Sequence, residues 1–185
     1  MKRIFLAVSF RDNEFIINYI STIQSELTAQ KIKWVEAKNL HITLKFFGPT
    51  PAKQIELIET TLDQCLINMH AIELRFTHLG LFGSRYQARV LWMGLENPEA
   101  LQEPEQKIRQ ALSGAGFAYD RQNFVPHLTI ARIKHLDSRK YFQSVVDRYR
   151  DFDSGPIKID RVYLYQSILH KNGPEYKVLK SWKLS

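Results

Sequence analysis

Apolar residues follow two different periods along this 185-residue chain, and segments with the two periods alternate from end to end. Short runs rich in β-branched and aromatic residues predict strands, whereas apolar residues at steps of three and four predict helices. The predicted strands are residues 4–10, 41–47, 72–81, 88–95, 124–134, 157–167 and 176–184. The predicted helices are residues 14–30, 52–68, 98–114 and 138–149. This interleaving predicts an α+β fold with mainly antiparallel sheet.

Turn and capping residues set the expected ends of these elements. Asp12 is placed to cap the first helix, and Gly48-Pro49 predicts the end of the second strand. The sequence Asn172-Gly173-Pro174 predicts the turn between the last two strands. Since no long polar linker or low-complexity segment divides the chain, we expect one domain over residues 1–185.

One short motif occurs twice, and it is the most informative feature of the sequence. His41-Ile42-Thr43 and His127-Leu128-Thr129 share the order histidine, apolar residue, threonine, and they lie about half a chain apart. Each lies in a predicted strand. The repetition suggests two pseudo-equivalent halves, each contributing one such strand.

Strand geometry places the histidine and the threonine of each motif together. Side chains two residues apart share a face of a strand, with Cα atoms roughly 6.6–6.8 Å apart. Ile42 and Leu128 therefore point into the opposite, apolar layer. By the same alternation Lys45 shares the polar face, where a solvated lysine at the edge of a groove is the expected role.

Two such strands facing one groove would suit phosphoryl transfer from a cyclic diester. One imidazole can take a proton from water while the other gives a proton to the leaving oxygen. The threonine hydroxyls can donate hydrogen bonds to phosphate oxygens. A single motif of this kind is usually structural, but two matched copies favour function. His70, His78, His135 and His170 follow no such pattern, and we interpret them as structural or surface residues.

The paired motifs resemble those of the 2H phosphoesterase superfamily, and within it the RNA 2′,3′-cyclic phosphodiesterases, also called 2′-5′ RNA ligases. The matching stretches are residues 3–8, 41–48, 89–94, 126–132, 162–167 and 173–176, with Trp182. The resemblance implies a bilobal, pseudo-twofold α+β fold, in which two mainly antiparallel sheets flanked by helices enclose a central cleft. It also implies metal-independent hydrolysis of RNA 2′,3′-cyclic phosphate ends to 2′-phosphates, with weak reversible 2′-5′ ligation.

The resemblance assigns roles to five residues. His41 is expected to be the acid and His127 the base, while Thr43, Thr129 and Arg132 bind the phosphate. Strict alternation would turn Arg132 away from His127, so the strand must twist or bulge there, or the long side chain must wrap around it. The equivalent residue of the first half is Phe46, which is either a base-stacking side chain or a core phenylalanine.

Composition and charge agree with this interpretation. The formal net charge is +7, which favours a polyanionic partner such as RNA. The single cysteine, Cys65, cannot form an intramolecular disulfide or a multi-cysteine zinc site. We therefore expect a cytoplasmic monomer that needs no metal or other cofactor, no obligate protein partner and no membrane.

Three other functions remain to be separated from the main one. A phosphodiesterase for small cyclic nucleotides or ADP-ribose cyclic phosphate would use the same residues without an RNA body. A non-catalytic RNA-binding module would not need paired imidazoles. An ATP-dependent ligase is disfavoured, because the sequence lacks a phosphate-binding G-x-x-x-x-G-K loop and an evident adenylated-lysine motif.

Overall fold

The chain alternates strands and helices, as the hydrophobic pattern predicts. A computed structural model describes residues 1–84, 87–118, 123–171 and 173–185, so Asn172 of the predicted turn lies outside the described residues. The strands are β1 Lys2–Ser9, β2 Lys31–Trp34, β3 His41–Thr50, β4 Ile72–Leu74, β5 Phe76–Ser84, β6 Gln87–Leu95, β7 His127–His135, β8 Ile157–Ile159, β9 Arg161–His170 and β10 Gly173–Lys183. The helices are α1 Glu14–Glu26, α2 Ala52–Leu66, α3 Glu99–Gly114 and α4 Arg139–Arg148.

Two four-stranded sheets form the framework. The first has the strand order β10-β9-β1-β3, and the second has the order β2-β7-β6-β5. Neighbouring strands in both sheets are antiparallel. The predicted α+β class with mainly antiparallel sheets is therefore confirmed. β3 carries the first histidine–x–threonine motif and β7 carries the second. Each sheet therefore contributes one of the two strands that carry the motif.

The apolar sides of both sheets pack into one hydrophobic cluster that also includes residues of all four helices. The residues behind the two motifs belong to it. Ile42, Leu44, Leu128 and Ile130 are at most 4% exposed. Burial of these side chains fixes which face of β3 and β7 is turned away from the core, and hence where the motif histidines point.

Two of the longer predicted strand regions are each divided in two. Residues 72–81 form β4 and β5, separated at Arg75, and residues 157–167 lie in β8 and β9, separated at Asp160. The partner strand changes at each break. β4 pairs with β8 in a small third sheet, whereas β5 belongs to the second large sheet and β9 to the first. Hydrophobic periodicity records burial and does not record a change of partner, so the sequence predicts one continuous strand in each place.

The first motif strand, β3, runs past the point where the sequence predicts its end. Pairing with β1 continues through Gly48 and Pro49 to Thr50. Gly48 has a φ of 77°, which glycine adopts without strain. Pro49 has no backbone N–H to donate. It is tolerated here because β3 is an edge strand, which pairs with a neighbouring strand on one side only.

The helices begin and end close to the predicted positions, with one correction. The N-cap of α1 is Asn13, whose side chain accepts a hydrogen bond from the Ile16 N–H, so the prediction of Asp12 as the cap is wrong. Ser138, which the sequence pattern places inside the fourth helix, is the N-cap of α4 and accepts a hydrogen bond from the Tyr141 N–H. In the described ranges no helix has both the length and the apolar content that crossing a membrane would require.

Candidate active site

The two motif strands have the same pattern of buried and accessible side chains. In each, the histidine and threonine are partly accessible, and the residue between them is buried. The next two residues are both buried, so the alternation breaks at the same position in β3 and β7. The equivalence that the repeated motif suggests therefore extends through at least seven residues of backbone.

A β-bulge in each strand explains the break. In β3, Ala7 pairs with Thr43 and Leu6 with Lys45, so Leu44 is an extra residue. In β7, the pairing with β6 moves from Thr129 to Ala131 in the same way, which leaves Ile130 extra. An extra residue reverses the alternation beyond it.

The bulges bring Phe46 and Arg132 to the same face as the histidines. Phe46 is 47% exposed and Arg132 is also exposed, whereas the residues preceding them are buried. Of the explanations open for Arg132, a bulge is the one that the structure contains. Phe46 is an exposed side chain at the cleft, and the core alternative is wrong.

Lys45 occupies the opposite side of β3 from the one that strict alternation predicts. Its side chain is 7% exposed, and its Nζ donates a hydrogen bond of 3.1 Å to the carbonyl of Ala118. The prediction of a solvated lysine beside the motif is therefore wrong. The bulge at Leu44 turns Lys45 inward, toward the segment that follows α3.

A cleft of about 520 Å³ brings the predicted site residues together. The six predicted residues that line it are His41, Thr43, Phe46, His127, Thr129 and Arg132. They come from both sheets, since β3 and β7 belong to different ones. The other side chains that line the cleft include Arg3, Phe5, Lys33, Lys134 and Tyr176.

Both histidines are held by the same local hydrogen bond. The Nδ1 of His41 lies 2.7 Å from the carbonyl oxygen of Asn39, and the Nδ1 of His127 lies 2.8 Å from that of Val125. A carbonyl oxygen only accepts, so Nδ1 carries a proton in each ring. Nε2 is thereby left as the proton-transferring atom, able to accept a proton when the ring is neutral and to donate one when it is charged.

Aromatic rings surround the two imidazoles differently. His41 contacts Phe5 and Tyr176, with ring centroids 5.0 and 5.2 Å away, and both neighbours line the cleft. His127 contacts Phe82 edge-on at 4.9 Å and Trp92 at 6.1 Å. Burial lowers the pKa of His41, and the positive charges of His127 and Arg132 lower it further, while the hydrogen bond to Asn39 acts in the opposite direction.

The side chains of the cleft fit a bound phosphate that exchanges a proton with one group on each of two sides. It offers two imidazole Nε2 atoms, two threonine hydroxyls and a guanidinium. Across the described ranges, no three or more His, Cys, Asp or Glu side chains cluster as metal ligands would. The chemistry that this set can supply is therefore acid–base catalysis with hydrogen-bond and charge stabilisation of a phosphoryl group.

Comparison with known families identifies this arrangement. The model of the 2′-5′ RNA ligase superfamily matches residues 15–170, which include both motifs. The chain belongs to the 2′-5′ RNA ligase superfamily. The family predicted from the paired motifs is thus confirmed.

Members of this superfamily with curated names match nearly the whole chain. The chain is 36% identical over 180 residues to the RNA 2′,3′-cyclic phosphodiesterase of Methanocaldococcus jannaschii, covering 97% of this chain and 99% of that protein. It is 31% identical over 181 residues to the protein of the same name from Thermotoga maritima, covering 96% of this chain and 92% of that one.

Solved structures show the same fold. A protein from Thermus thermophilus superposes with a TM-score of 0.81 at 22% identity, covering 98% of this chain and 97% of that one. Escherichia coli LigT complexed with 3′-AMP superposes with a TM-score of 0.78 at 21% identity, covering 100% of this chain and 98% of that one.

Several side chains of the cleft lie in stretches that resemble the family, but the sequence assigns them no role. Phe5 and Tyr176 reach His41 from β1 and β10, strands distant in sequence, so only tertiary structure shows their role. Arg3 places its guanidinium carbon 4.7 Å from the centre of the Phe46 ring. A cation over the ring restricts Phe46 at the cleft. The continuous apolar run of β1 marks Phe5 only as one of several buried strand residues.

Proposed function

We propose that this chain hydrolyses the 2′,3′-cyclic phosphate at the end of an RNA to a 2′-phosphate, with His41 and His127 as the catalytic acid and base. The observation that carries the proposal is the matched pair of imidazoles in one cleft, each tied to a backbone carbonyl through Nδ1. The names of the relatives, RNA 2′,3′-cyclic phosphodiesterases, support the substrate.

In this proposal Thr43, Thr129 and Arg132 bind the phosphate. Each threonine hydroxyl donates a hydrogen bond to a non-bridging oxygen. The guanidinium of Arg132 offers a planar fork of donors to the same oxygens, and its charge offsets the negative charge that grows as water adds to phosphorus. The face shared by these residues, which the bulge in β7 establishes, makes such a grouping feasible.

The two histidines then exchange protons with opposite sides of the phosphate. Nε2 of the base accepts a proton from water while the water oxygen bonds to phosphorus. Nε2 of the acid donates its proton to O3′ while the bond from phosphorus to O3′ breaks. The products are a 2′-phosphate and a free 3′ hydroxyl. Exchange with solvent returns each imidazole to its starting protonation state.

We assign His41 as the acid and His127 as the base, following the family resemblance. The lowered pKa of His41 by itself favours the neutral ring, which suits a base. The assignment therefore requires that the negative charge of the bound phosphate restore the proton on His41. An anion in the cleft acts in that direction, because an opposite charge nearby favours the charged form of a histidine.

The proposal is tested with an oligoribonucleotide that ends in a 2′,3′-cyclic phosphate, incubated with the protein in excess EDTA. We expect complete conversion to the 2′-phosphate, identified by chromatography against authentic 2′- and 3′-phosphate standards. A 3′-phosphate product would overturn the assigned acid and base while leaving the two-histidine mechanism intact. Loss of activity in EDTA, with recovery on adding a divalent ion, would overturn metal independence.

The alternatives are decided in the same experiment by changing the substrate. A phosphodiesterase for small molecules would turn over a cyclic mononucleotide or ADP-ribose cyclic phosphate in preference to the oligonucleotide. A binding module would retain the oligonucleotide unchanged. Reverse reaction, detected as a 2′-5′ joint when a 5′-hydroxyl RNA is added in excess, would show that ligation accompanies hydrolysis.

A further inference from the structure

The cleft carries more positive charge than one cyclic phosphate requires. Its described lining includes four cationic side chains, those of Arg3, Lys33, Arg132 and Lys134. Glu36 is the acidic residue in the same lining, and it pairs with Lys38 at 2.7 Å. A cyclic phosphate diester carries one negative charge, which Arg132 alone can balance. The surplus fits a ligand with several phosphates.

Lys33 lies beside another cationic residue of the same sheet. It is directly opposite Arg132 in the pairing of β2 with β7, so two cations face each other across neighbouring strands. Like charges directly opposite each other destabilise a sheet. Both side chains line the cleft, where an anionic ligand between or beside them would offset the repulsion.

The Lys33 side chain reaches from one sheet to the other. A Cβ atom built on Gly173 would lie 3.2 Å from the Nζ of Lys33. Gly173 begins β10 of the first sheet, whereas Lys33 belongs to β2 of the second. The ammonium group is therefore held at the border of the cleft between the two sheets, away from the apolar core.

Lys134 marks the direction in which the positive charge continues. It follows Arg132 by two residues in β7, farther along the strand from His127. It lines the cleft and also an adjoining hollow of about 140 Å³, which Arg139 lines as well. The basic surface thus extends from the catalytic pair along β7 into a second depression.

Building on the proposed function, we infer that Lys33 and Lys134 bind backbone phosphates of the RNA on the 5′ side of its cyclic end. The RNA body then follows β7 from Arg132 toward Arg139. This basic track gives the protein a preference for oligonucleotide ends over cyclic mononucleotides, since a mononucleotide has no phosphate to reach either lysine.

The test compares Lys33→Gln/Lys134→Gln with the wild type on two probes, cytidine 2′,3′-cyclic phosphate and an eight-residue oligoribonucleotide ending in the same cyclic nucleotide. We expect the ratio of kcat/KM for the oligonucleotide to that for the mononucleotide to fall at least tenfold at low salt. The slope of log kcat/KM against log salt for the oligonucleotide should become shallower by about 1.4, because each single-strand phosphate contact contributes about 0.7.

Lys53→Gln/Lys183→Gln is the matched control, since it removes the same charge from exposed lysines outside the cleft lining. It should leave the ratio unchanged. Anisotropy of a fluorescent oligonucleotide ending in a 2′-phosphate should show weaker binding in the track variant than in the control. An unchanged ratio in the track variant, or an equal fall in the control, would overturn the inference while leaving the proposed function intact. If the wild type hydrolysed neither probe, the proposed function would fail and the inference with it.

Discussion

At the scale of single residues, the two histidines share one hydrogen bond and differ in their neighbours. Both Nδ1 atoms face a carbonyl two residues earlier in the chain, so the tautomer is set by local backbone. Phe5 and Tyr176 enclose His41 at the cleft, and burial lowers its pKa. The burial of His41 by these rings, added to the same local geometry, lowers the pKa of its imidazole.

Replacing either histidine should remove one of two proton transfers. We expect His41→Ala and His127→Ala each to lower kcat by about 10²–10⁴-fold, because a positioned acid or base contributes that much. His70→Ala is the control, since this exposed histidine lies outside the lining of both the cleft and the adjoining hollow. It should retain activity. Wild-type turnover in either cleft variant, measured on the cyclic-ended oligonucleotide, would rule out paired histidine catalysis.

The pH dependence of kcat, which reports the groups of the enzyme–substrate complex, can assign the role of His41, because the acid assignment requires the bound phosphate to have restored the proton on His41. We expect a bell-shaped profile, since one imidazole must be neutral and the other charged. Tyr176→Ala reduces burial of His41 and should raise its pKa toward the ordinary value. If His41 is the acid, activity disappears as pH rises through its pKa, so the alkaline limb should move to higher pH. Movement of the acidic limb instead would make His41 the base.

At the scale of secondary structure, the paired bulges decide which residues reach the cleft. Alternation in the sequence is enough to place each histidine and threonine on one face. It fails two residues later, because the alternation of apolar and polar residues continues through Leu44 and Ile130 in the sequence and does not mark them as extra residues. The inward position of Lys45 follows from the same cause.

Because of the bulge in β3, substitutions at two neighbouring residues should affect different properties, stability at Lys45 and RNA binding at Phe46. Lys45→Met removes the hydrogen bond to the Ala118 carbonyl and should lower the free energy of unfolding by about 1–3 kcal/mol, with little change in kcat/KM. Phe46→Ala should leave stability nearly unchanged and weaken oligonucleotide binding by about 1–3 kcal/mol through lost base stacking. Urea unfolding and steady-state kinetics of both variants provide the measurement. Similar effects from the two substitutions would contradict the bulged arrangement.

The sequence does not reveal very short strands, or the point at which one apolar run is divided between two strands. The strand β2 has four residues with alternating lysines, too short a pattern to separate from a loop, and it is stabilised by pairing with β7. The breaks at Arg75 and Asp160 depend on which strand lies alongside. The helices are predicted more closely, because their apolar faces and caps are encoded within each segment.

At the scale of the whole molecule, two sheets from distant parts of the chain meet in one hydrophobic cluster and enclose the cleft. The first sheet takes strands from both ends of the sequence, β1 and β3 together with β9 and β10. The second takes β2 from the first half. This exchange supports the prediction of one domain over residues 1–185, because neither half can complete its sheet alone.

Stability of the whole fold should depend on the charge of His41. Its pKa is lowered in the folded protein from an ordinary value of 6.5, so the unfolded chain binds more protons between the two values. The free energy of unfolding should therefore decrease as pH falls from about 6.5 toward the folded pKa. His41→Asn should lose less stability than the wild type between pH 7.5 and 5.5 in urea titrations. An equal loss in both proteins would show that His41 contributes nothing to acid sensitivity.

The matched bulges also give the cleft a direction. Two identical strand frames around one phosphate would be degenerate, because rotating the cyclic diester by half a turn would exchange its O2′ and O3′ and leave every contact the same. The second residue after each extra residue removes this degeneracy, since one frame presents the aromatic ring of Phe46 and the other the guanidinium of Arg132. In the proposed function, the nucleotide base is bound beside Phe46 and the phosphate beside Arg132. In the proposed function, this difference and the different rings around the two histidines together determine which ring bond faces which histidine.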